Sequence, residues 1–147
     1  MNPKISVAID RTIGPAFYRF HRWAYIRSGG RLMTKAMGLP MVLLTTTGRK
    51  SGLPRTAALL SYPVDERTYA VVASNGGREK APAWLFNIEA NPTVTLQVKR
   101  AKHQATARKA SAEEKARLFP AMTKAYKGWA HYETLTDREI PVVLVTF

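Results

Sequence analysis

Three cations lie close together in one short turn of the chain. Residues 47–52 contain Arg49 and Lys50 between two glycines, Gly48 and Gly52, and Arg55 follows. Glycine lets the backbone bend so that amides and side chains converge, and arginine offers a planar fork to oxyanions. The spacing predicts a loop that binds an anion. The alternative is a basic hairpin tip that is simply solvated.

A second glycine-rich segment has a different chemistry. Ser74 and Asn75 follow an apolar run and precede the pair Gly76 and Gly77, which permits close approach of the backbone to a flat ligand. Pro82 follows, and its missing N–H costs nothing in the first turn of a helix. The pattern predicts a ligand-contacting turn followed by a short helix.

Other chemistries are excluded by composition and spacing. The chain has no cysteine, which rules out disulfides, thiolate metal sites and cysteine nucleophiles. The histidines, His21, His103 and His131, lack the spacing of a metal site, so all three are expected at the surface. No Ser-His-acid arrangement is found either.

The excess of basic residues favours a ligand or surface with negative charge, but it does not identify which one. Lysine and arginine number 23 against 10 acidic residues, for a net charge of +13 over 147 residues. Such a charge suits a polyanionic ligand, a nucleic acid or an anionic membrane surface. A hydrophobic content of 46% argues against disorder, and the length predicts one domain, residues 1–147.

Strands must position the two glycine-rich segments. Apolar β-type runs at residues 41–46 and 56–61 flank the cationic turn and predict a hairpin. Further strands are expected at residues 68–74, 93–98, 103–110 and 140–147, with a helix over residues 83–90. Five or six strands with few helices between them predict an α+β, mainly β fold. We expect a small antiparallel barrel over residues 41–147, with flanking N-terminal and C-terminal helices.

The C-terminal helical region has its own boundary signals. Ser111 and Glu114 form a capping box that opens a helix running toward Tyr126, with Pro120 expected to bend or divide it. Gly128 is expected to interrupt the helical region before the last strand.

We expect residues 1–35 to form a basic, helical N-terminal extension. A helix over residues 13–27 places Ile13, Phe17, Phe20 and Trp23 at helical spacing among arginines that include Arg11. It can contact anionic lipid, pack on the barrel with its arginines in water, or fold over the site as a lid. No signal peptide or spanning segment is found, which predicts a cytoplasmic protein that is at most peripheral to the membrane.

Several of these segments together resemble a known family, the deazaflavin (coenzyme F420)-dependent nitroreductases and quinone reductases of actinobacteria. The matching segments are residues 43–52 with Pro54 and Arg55, residues 73–77, residues 82–84 with Asn87, Asn91 with Pro92, and residues 136–143. The resemblance implies a split β-barrel. It also implies reduced F420 as the hydride donor to small, flat, hydrophobic acceptors such as quinones, enones and nitroaromatics.

The resemblance also implies site residues. Arg49, Lys50 and Arg55 match positions that hold the phosphodiester and glutamate tail of the cofactor. The positions that match the lining of its ring are Ala73, Ser74, Asn75, Gly76, Gly77, Pro82, Ala83 and Trp84. The family often has lysine at position 75 and tyrosine at position 85, where this chain has Asn75 and Leu85. Trp84 can equally pack in the core.

Three aromatic residues match the substrate pocket of the family, which uses tyrosines there. This chain has Tyr126, Trp129 and Tyr132, so one hydroxyl is missing and a different substrate range is expected. Ser74 is the candidate donor of a hydrogen bond to the acceptor oxygen, unless it caps its own backbone. Tyr132 and, less directly, Tyr126 are candidate proton donors, unless they only wall the pocket.

A second class of function uses the same barrel without catalysis. A carrier would bind F420 or a fatty-acyl chain and leave the cofactor unoxidised. Nucleic-acid binding is not expected, because the chain has neither a recognition helix nor a motif for stacking single-stranded bases.

Overall fold

The computed structural model describes residues 14–147. Ile13, where the predicted first helix begins, and Arg11 lie outside the described residues. The helices are α1 (Gly14–Arg27), α2 (Ala83–Ala90), α3 (Ala112–Ala125) and α4 (Gly128–Glu133), with one 3-10 turn at Asn75–Gly77. The strands are β1 (Lys35–Ala36), β2 (Leu39–Thr47), β3 (Pro54–Pro63), β4 (Thr68–Val72), β5 (Thr93–Val98), β6 (Ala101–Lys109) and β7 (Val142–Thr146).

Six of the strands close into a barrel, which confirms the predicted fold. Their order is β2-β3-β4-β7-β6-β5, and β5 pairs back with β2, every pairing being antiparallel. The short β1 pairs only with the start of β2. Closure gives each barrel strand two partners, so the barrel has no open edge.

The predicted hairpin is present with the predicted turn at its tip. Strands β2 and β3 pair from Met41 opposite Leu60 to Thr47 opposite Pro54, and the cationic loop connects them. The loop therefore projects from the end of the longest pairing of strands in the barrel.

Two of the three hydrophobic cores found within residues 14–147 lie on opposite sides of the barrel wall. One fills the barrel and includes Leu44 and Leu96, with Trp84 of α2 packed against them. The other lies between the wall and the C-terminal helices and is built around Met122 and Trp129. Strands β4 and β7 contribute to both cores, which explains why their sequences are almost continuously apolar.

The capping box at the start of α3 is confirmed. The Ser111 hydroxyl accepts a hydrogen bond from the Glu114 amide, and the Glu114 carboxylate accepts one from the Ser111 amide. The carboxylate also accepts two hydrogen bonds from Arg108, at 2.7 and 2.8 Å. Arg108 first, and then the Ser111 amide, lower the pKa of Glu114 to about 2.

Two expectations for the C-terminal helices are met only in part. Pro120 was expected to bend or divide the helix, and it does not divide α3, which continues through it. The flanking side chains Leu118 and Phe119 pack on the second core. The interruption expected at Gly128 lies just before it, because residues 126–127 separate α3 from α4 and Gly128 begins α4.

Helix α1 packs on the barrel through its tyrosines. The Tyr25 hydroxyl accepts a hydrogen bond from the Lys99 amide at 2.8 Å and lies 3.2 Å from the Met41 carbonyl oxygen. The Tyr18 hydroxyl accepts one from the Ala58 amide at 3.0 Å. These bonds determine which face of α1 packs on the barrel. The phenylalanine and tryptophan side chains of the helix are left at the surface. The exposed apolar residues of α1 are Phe17, Phe20, Trp23 and Ile26.

The expectation that all histidines lie at the surface was wrong for His21. Its side chain is 6% exposed, and neither ring nitrogen has a hydrogen-bond partner among residues 14–147. Burial lowers the pKa of His21. The imidazole is therefore held in its neutral form beneath α1, next to the ring of Phe17.

We predict that His21 makes the folded chain sensitive to acid. Because the pKa of His21 is lower in the folded state, protonation favours the unfolded chain, and stability falls as the pH drops through about 6.5. The substitution His21→Leu should remove this loss. It should also raise the free energy of unfolding by about 1 kcal/mol, because no buried polar nitrogen is left unpaired.

The measurement is urea unfolding at about pH 8 and about pH 5.5, on either side of the ordinary histidine pKa. The matched control is His131→Leu, at a half-buried position, which should keep the wild-type loss between the two pH values. Equal losses in the His21→Leu variant and the wild type would contradict the prediction.

Candidate functional site

A cleft opens at the mouth of the barrel, between the β2–β3 loop and the first turns of α2. Its volume is about 420 Å³. Its lining residues come from the loop, the start of β3 and the helix. They are Gly48, Arg49, Lys50, Ser51, Arg55, Thr56, Ala57, Ala83, Trp84 and Asn87.

Backbone hydrogen bonds give the loop its shape. The Gly48 amide donates to the Leu53 carbonyl, and the Gly52 amide donates to the Gly48 carbonyl, both at 2.8 Å. A side chain at position 48 would bring its Cβ within 2.5 Å of the Ser51 hydroxyl. Gly52 adopts a φ of 71°, in the left-handed region that favours glycine. The two glycines are thus required by close packing and by backbone conformation, respectively.

The cations of the loop are not neutralised by the protein. Arg49, Lys50 and Arg55 are exposed, and none of the ion pairs found within residues 14–147 includes them. The Arg49 guanidinium lies over the ring of Phe86, 4.5 Å from its centroid. The structure therefore brings together three positive charges whose hydrogen-bond donors are accessible from the cleft.

Asn87 joins the loop to helix α2, and the sequence analysis did not place it in the site. Its side-chain oxygen accepts a hydrogen bond from the Arg49 amide, and its nitrogen donates to the Thr46 hydroxyl, both at 3.0 Å. The side chain is buried in a helix whose other buried residues are all apolar. A polar residue in such a helix was the available signal, because buried amides need partners.

The second predicted segment lies beside the cleft but does not line it. Ser74 is buried at the start of the turn Asn75–Gly77 and makes no side-chain capping bond there. Gly77 is packed closely, since an added Cβ would lie 2.8 Å from Leu135 and 3.2 Å from the Tyr132 carbonyl oxygen. Of the residues expected to contact the cofactor ring, only Ala83 and Trp84 line the cleft; Pro82 lies just before α2 and is buried.

Arg138 holds this segment in place, and it too was absent from the predicted site. Its guanidinium donates hydrogen bonds to the carbonyl oxygens of Ser74 at 2.8 Å and Ala73 at 3.1 Å. It also donates to the carbonyl oxygens of Arg78 at 2.9 Å and Glu139 at 3.2 Å. Burial lowers the pKa of Arg138.

The three aromatic residues predicted for the substrate pocket lie together. The hydroxyl oxygens of Tyr126 and Tyr132 are 3.2 Å apart, and the rings of Tyr126 and Trp129 meet edge to face at 5.3 Å. Trp129 is only 3% exposed and packs in the second core. None of the three lines the cleft beside the cationic loop.

The arrangement suits the binding of an anion and a flat group rather than metal chemistry. No group of three or more histidine or acidic side chains within residues 14–147 is placed to hold a metal ion. The three cations line the cleft, whereas the buried Ser74 does not.

Comparison with known proteins shows which family this chain is similar to. The sequence profile of the F420H(2)-dependent quinone reductases matches residues 17–146. The chain is 34% identical to the F420H(2)-dependent quinone reductase Rv1261c of Mycobacterium tuberculosis, over 97% of each chain.

Two solved structures are similar to this chain. A structure described as an F420-H2 dependent reductase (FDR-A) shares 44% identity, with a TM-score of 0.65 over 72% of this chain and 93% of the other. Another, described as a domain-swapped dimer, shares 38% identity, with a TM-score of 0.66 over 84% of this chain and 97% of the other. This chain belongs to the family of F420H(2)-dependent quinone reductases.

Proposed function

We propose that this chain uses reduced coenzyme F420 to reduce a quinone or a similarly small, flat, hydrophobic acceptor. The observation that carries the proposal is the cleft in which Arg49, Lys50 and Arg55 lie next to Ala83 and Trp84, with no acidic partner among residues 14–147. An acidic cofactor tail needs such cations, and a cofactor ring needs an apolar surface beside them.

The residues present fit the cofactor in both respects. Arg49, Lys50 and Arg55 would hold the phosphodiester and the glutamates of the tail. Charge-assisted hydrogen bonds of this kind contribute about 1.5–3 kcal/mol each. The ring would lie toward Ala83 and Trp84 and the segment of residues 73–77, where paired glycines allow the backbone to approach closely.

The hydride chemistry belongs to the cofactor, and the protein supplies position and charge. A quinone that accepts one hydride also needs a proton to become a hydroquinone. Ser74 would donate a hydrogen bond to the acceptor oxygen as negative charge develops there, and its buried hydroxyl caps no backbone group of the following turn. The Tyr126–Tyr132 hydroxyl pair would supply the proton, and Trp129 packs edge to face against the Tyr126 ring.

We predict that reversing the charges of the loop weakens cofactor binding. Each of Arg49→Glu, Lys50→Glu and Arg55→Glu should lower the affinity for F420 by about 10-fold to 100-fold, the factor that corresponds to one charge-assisted hydrogen bond. The triple variant should show no saturable binding. Affinity is measured by a fluorescence titration of F420 with protein. Activity is then measured as the rate at which reduced F420 is oxidised with menadione as acceptor.

The matched control reverses three exposed cations outside the cleft, Lys102, Arg117 and Lys124, and so makes the same change in net charge. It should keep affinity near the wild-type value. Equal losses in the two triple variants would show that net charge alone attracts the cofactor. Binding by the wild type without any oxidation of the cofactor would instead indicate a carrier and contradict the proposed activity.

We also propose that helix α1 contacts an anionic lipid surface. Phe17 and Trp23 are 61% and 58% exposed, and the exposed Phe20 and Ile26 continue the same row of apolar side chains. Exposed arginines, among them Arg19, flank this row. Aromatic side chains beside cations are the composition of helices that lie in the membrane interface. Within residues 14–147, no helix is long and apolar enough to cross a bilayer.

The exposed face of α1 is therefore expected to bind vesicles. Replacing Phe20 and Trp23 by serine should weaken binding to phosphatidylglycerol vesicles at least about 100-fold, since each large apolar side chain contributes about 1.5–3 kcal/mol on burial. Leu53→Ser, at an exposed position on the β2–β3 loop, is the control and should change little. The measurement is co-sedimentation with vesicles.

Unchanged vesicle binding by the double variant would overturn this proposal. Loss of self-association by the double variant, without any change in vesicle binding, would also overturn it, because the face would then belong to a second copy of the chain.

A further inference from the structure

The turn Asn75–Gly77 has an unusual backbone for a segment expected to contact a ligand. Asn75, Gly76 and Gly77 have φ angles of 47°, 65° and 76°, three left-handed residues in succession. This conformation is uncommon for a residue with a side chain, although asparagine adopts it more readily than most. The Asn75 side chain also donates a hydrogen bond to the Lys80 carbonyl oxygen at 2.9 Å. The turn's own backbone hydrogen bonds are few: the Gly77 amide donates to Ser74 at 2.9 Å, and the Arg78 amide to Asn75 at 3.3 Å.

Arg138 holds both ends of this turn from outside. It reaches the carbonyl oxygens of Ala73 and Ser74 before the turn and that of Arg78 after it. The guanidinium is planar, so its donors keep these carbonyls at a fixed separation. Lysine, with one flexible ammonium group, cannot reproduce this geometry.

The charge of Arg138 is balanced by carbonyl dipoles rather than by a carboxylate. None of the ion pairs within residues 14–147 includes it. Arginine stays protonated in proteins, so a full positive charge lies directly behind Ser74. A fixed cation near a site favours negative charge that develops there during a reaction.

We propose that Arg138 is a positioning residue of the active site: it holds Ser74 and the turn Asn75–Gly77 in their binding geometry before any ligand arrives. This inference rests on the proposed function only where it says that the turn contacts the cofactor or the acceptor. That Arg138 holds the turn in place does not depend on the proposed function. The two sets of residues would then have different roles. The cleft cations would set the affinity for the cofactor, and Arg138 would set the geometry and the electrostatic potential at the reacting groups.

The first test needs no cofactor. In Arg138→Gln, the backbone amides of residues 75–78 should exchange with deuterium about tenfold faster or more, as expected when hydrogen bonds to a charged group are lost. Amides of strands β4 and β7 should exchange as in the wild type. Arg138→Lys should show an intermediate rate. The control is Arg117→Gln, at an exposed position on α3, which should leave the turn unchanged.

The second test uses the cofactor. Arg138→Ala should lower kcat with menadione about 10-fold to 100-fold, less than the roughly 100-fold to 1000-fold lost when a direct donor to a transition state is removed, while affinity for F420 changes less than about threefold. Added guanidinium ion should restore part of kcat in Arg138→Ala and have no such effect on Arg117→Ala.

The outcomes separate this inference from the proposed function. Wild-type exchange in the turn of both Arg138→Gln and Arg138→Lys would overturn the positioning role, whether or not the protein is a reductase. The turn of Arg138→Gln could exchange faster while the wild-type protein neither binds F420 nor oxidises its reduced form. That result would support the role of Arg138 in holding the turn and would reject the proposed function. Faster exchange with an unchanged kcat would overturn the link between the turn and the reaction.

Discussion

Strand β2 is hydrogen-bonded to β3 on one side and to β5 on the other, and this double pairing closes the barrel. Closure fixes the direction of the β2–β3 hairpin, because β2 has no free edge along which to shift its register. The cationic loop therefore leaves the barrel at a defined place, beside the N-terminal end of α2. The cleft exists because these two elements cannot move apart without opening the barrel or exposing the core around Trp84.

Two polar side chains, the buried Asn87 and the half-buried Arg138, then hold the loops of the site against this frame. Asn87 ties the loop to α2 and to β2 through the Arg49 amide and the Thr46 hydroxyl. Arg138 ties the turn that follows β4 to the segment before β7. Each replaces hydrogen bonds that irregular backbone cannot make for itself. The site is thus assembled from loops, yet both loops have fixed shapes.

Local features of this chain could be predicted from sequence. The hairpin follows from apolar runs on either side of Gly48 and Gly52, and the start of α3 follows from the Ser111–Glu114 capping box. Local hydrogen bonds and residue alternation determine these features, so they can be read from neighbouring residues. The barrel follows from the number and spacing of such strands, and the resemblance pointed to the same fold. The lining of the cleft was partly predicted, because the cations and Ala83 and Trp84 lie in recognisable motifs.

Long-range features could not be predicted in the same way. Periodicity identified the apolar residues of α1 but not its buried face, which the hydrogen bonds of Tyr18 and Tyr25 to the barrel select. His21 became buried as a consequence. Asn87 and Arg138 act on backbone groups far away in the chain, and nothing in their neighbouring sequence reveals those partners. The most direct test of the account is a crystal structure of the chain with F420. We expect the phosphodiester and glutamates against the cleft cations; a tail bound at the β5–β6 turn, with the cleft empty, would contradict the account.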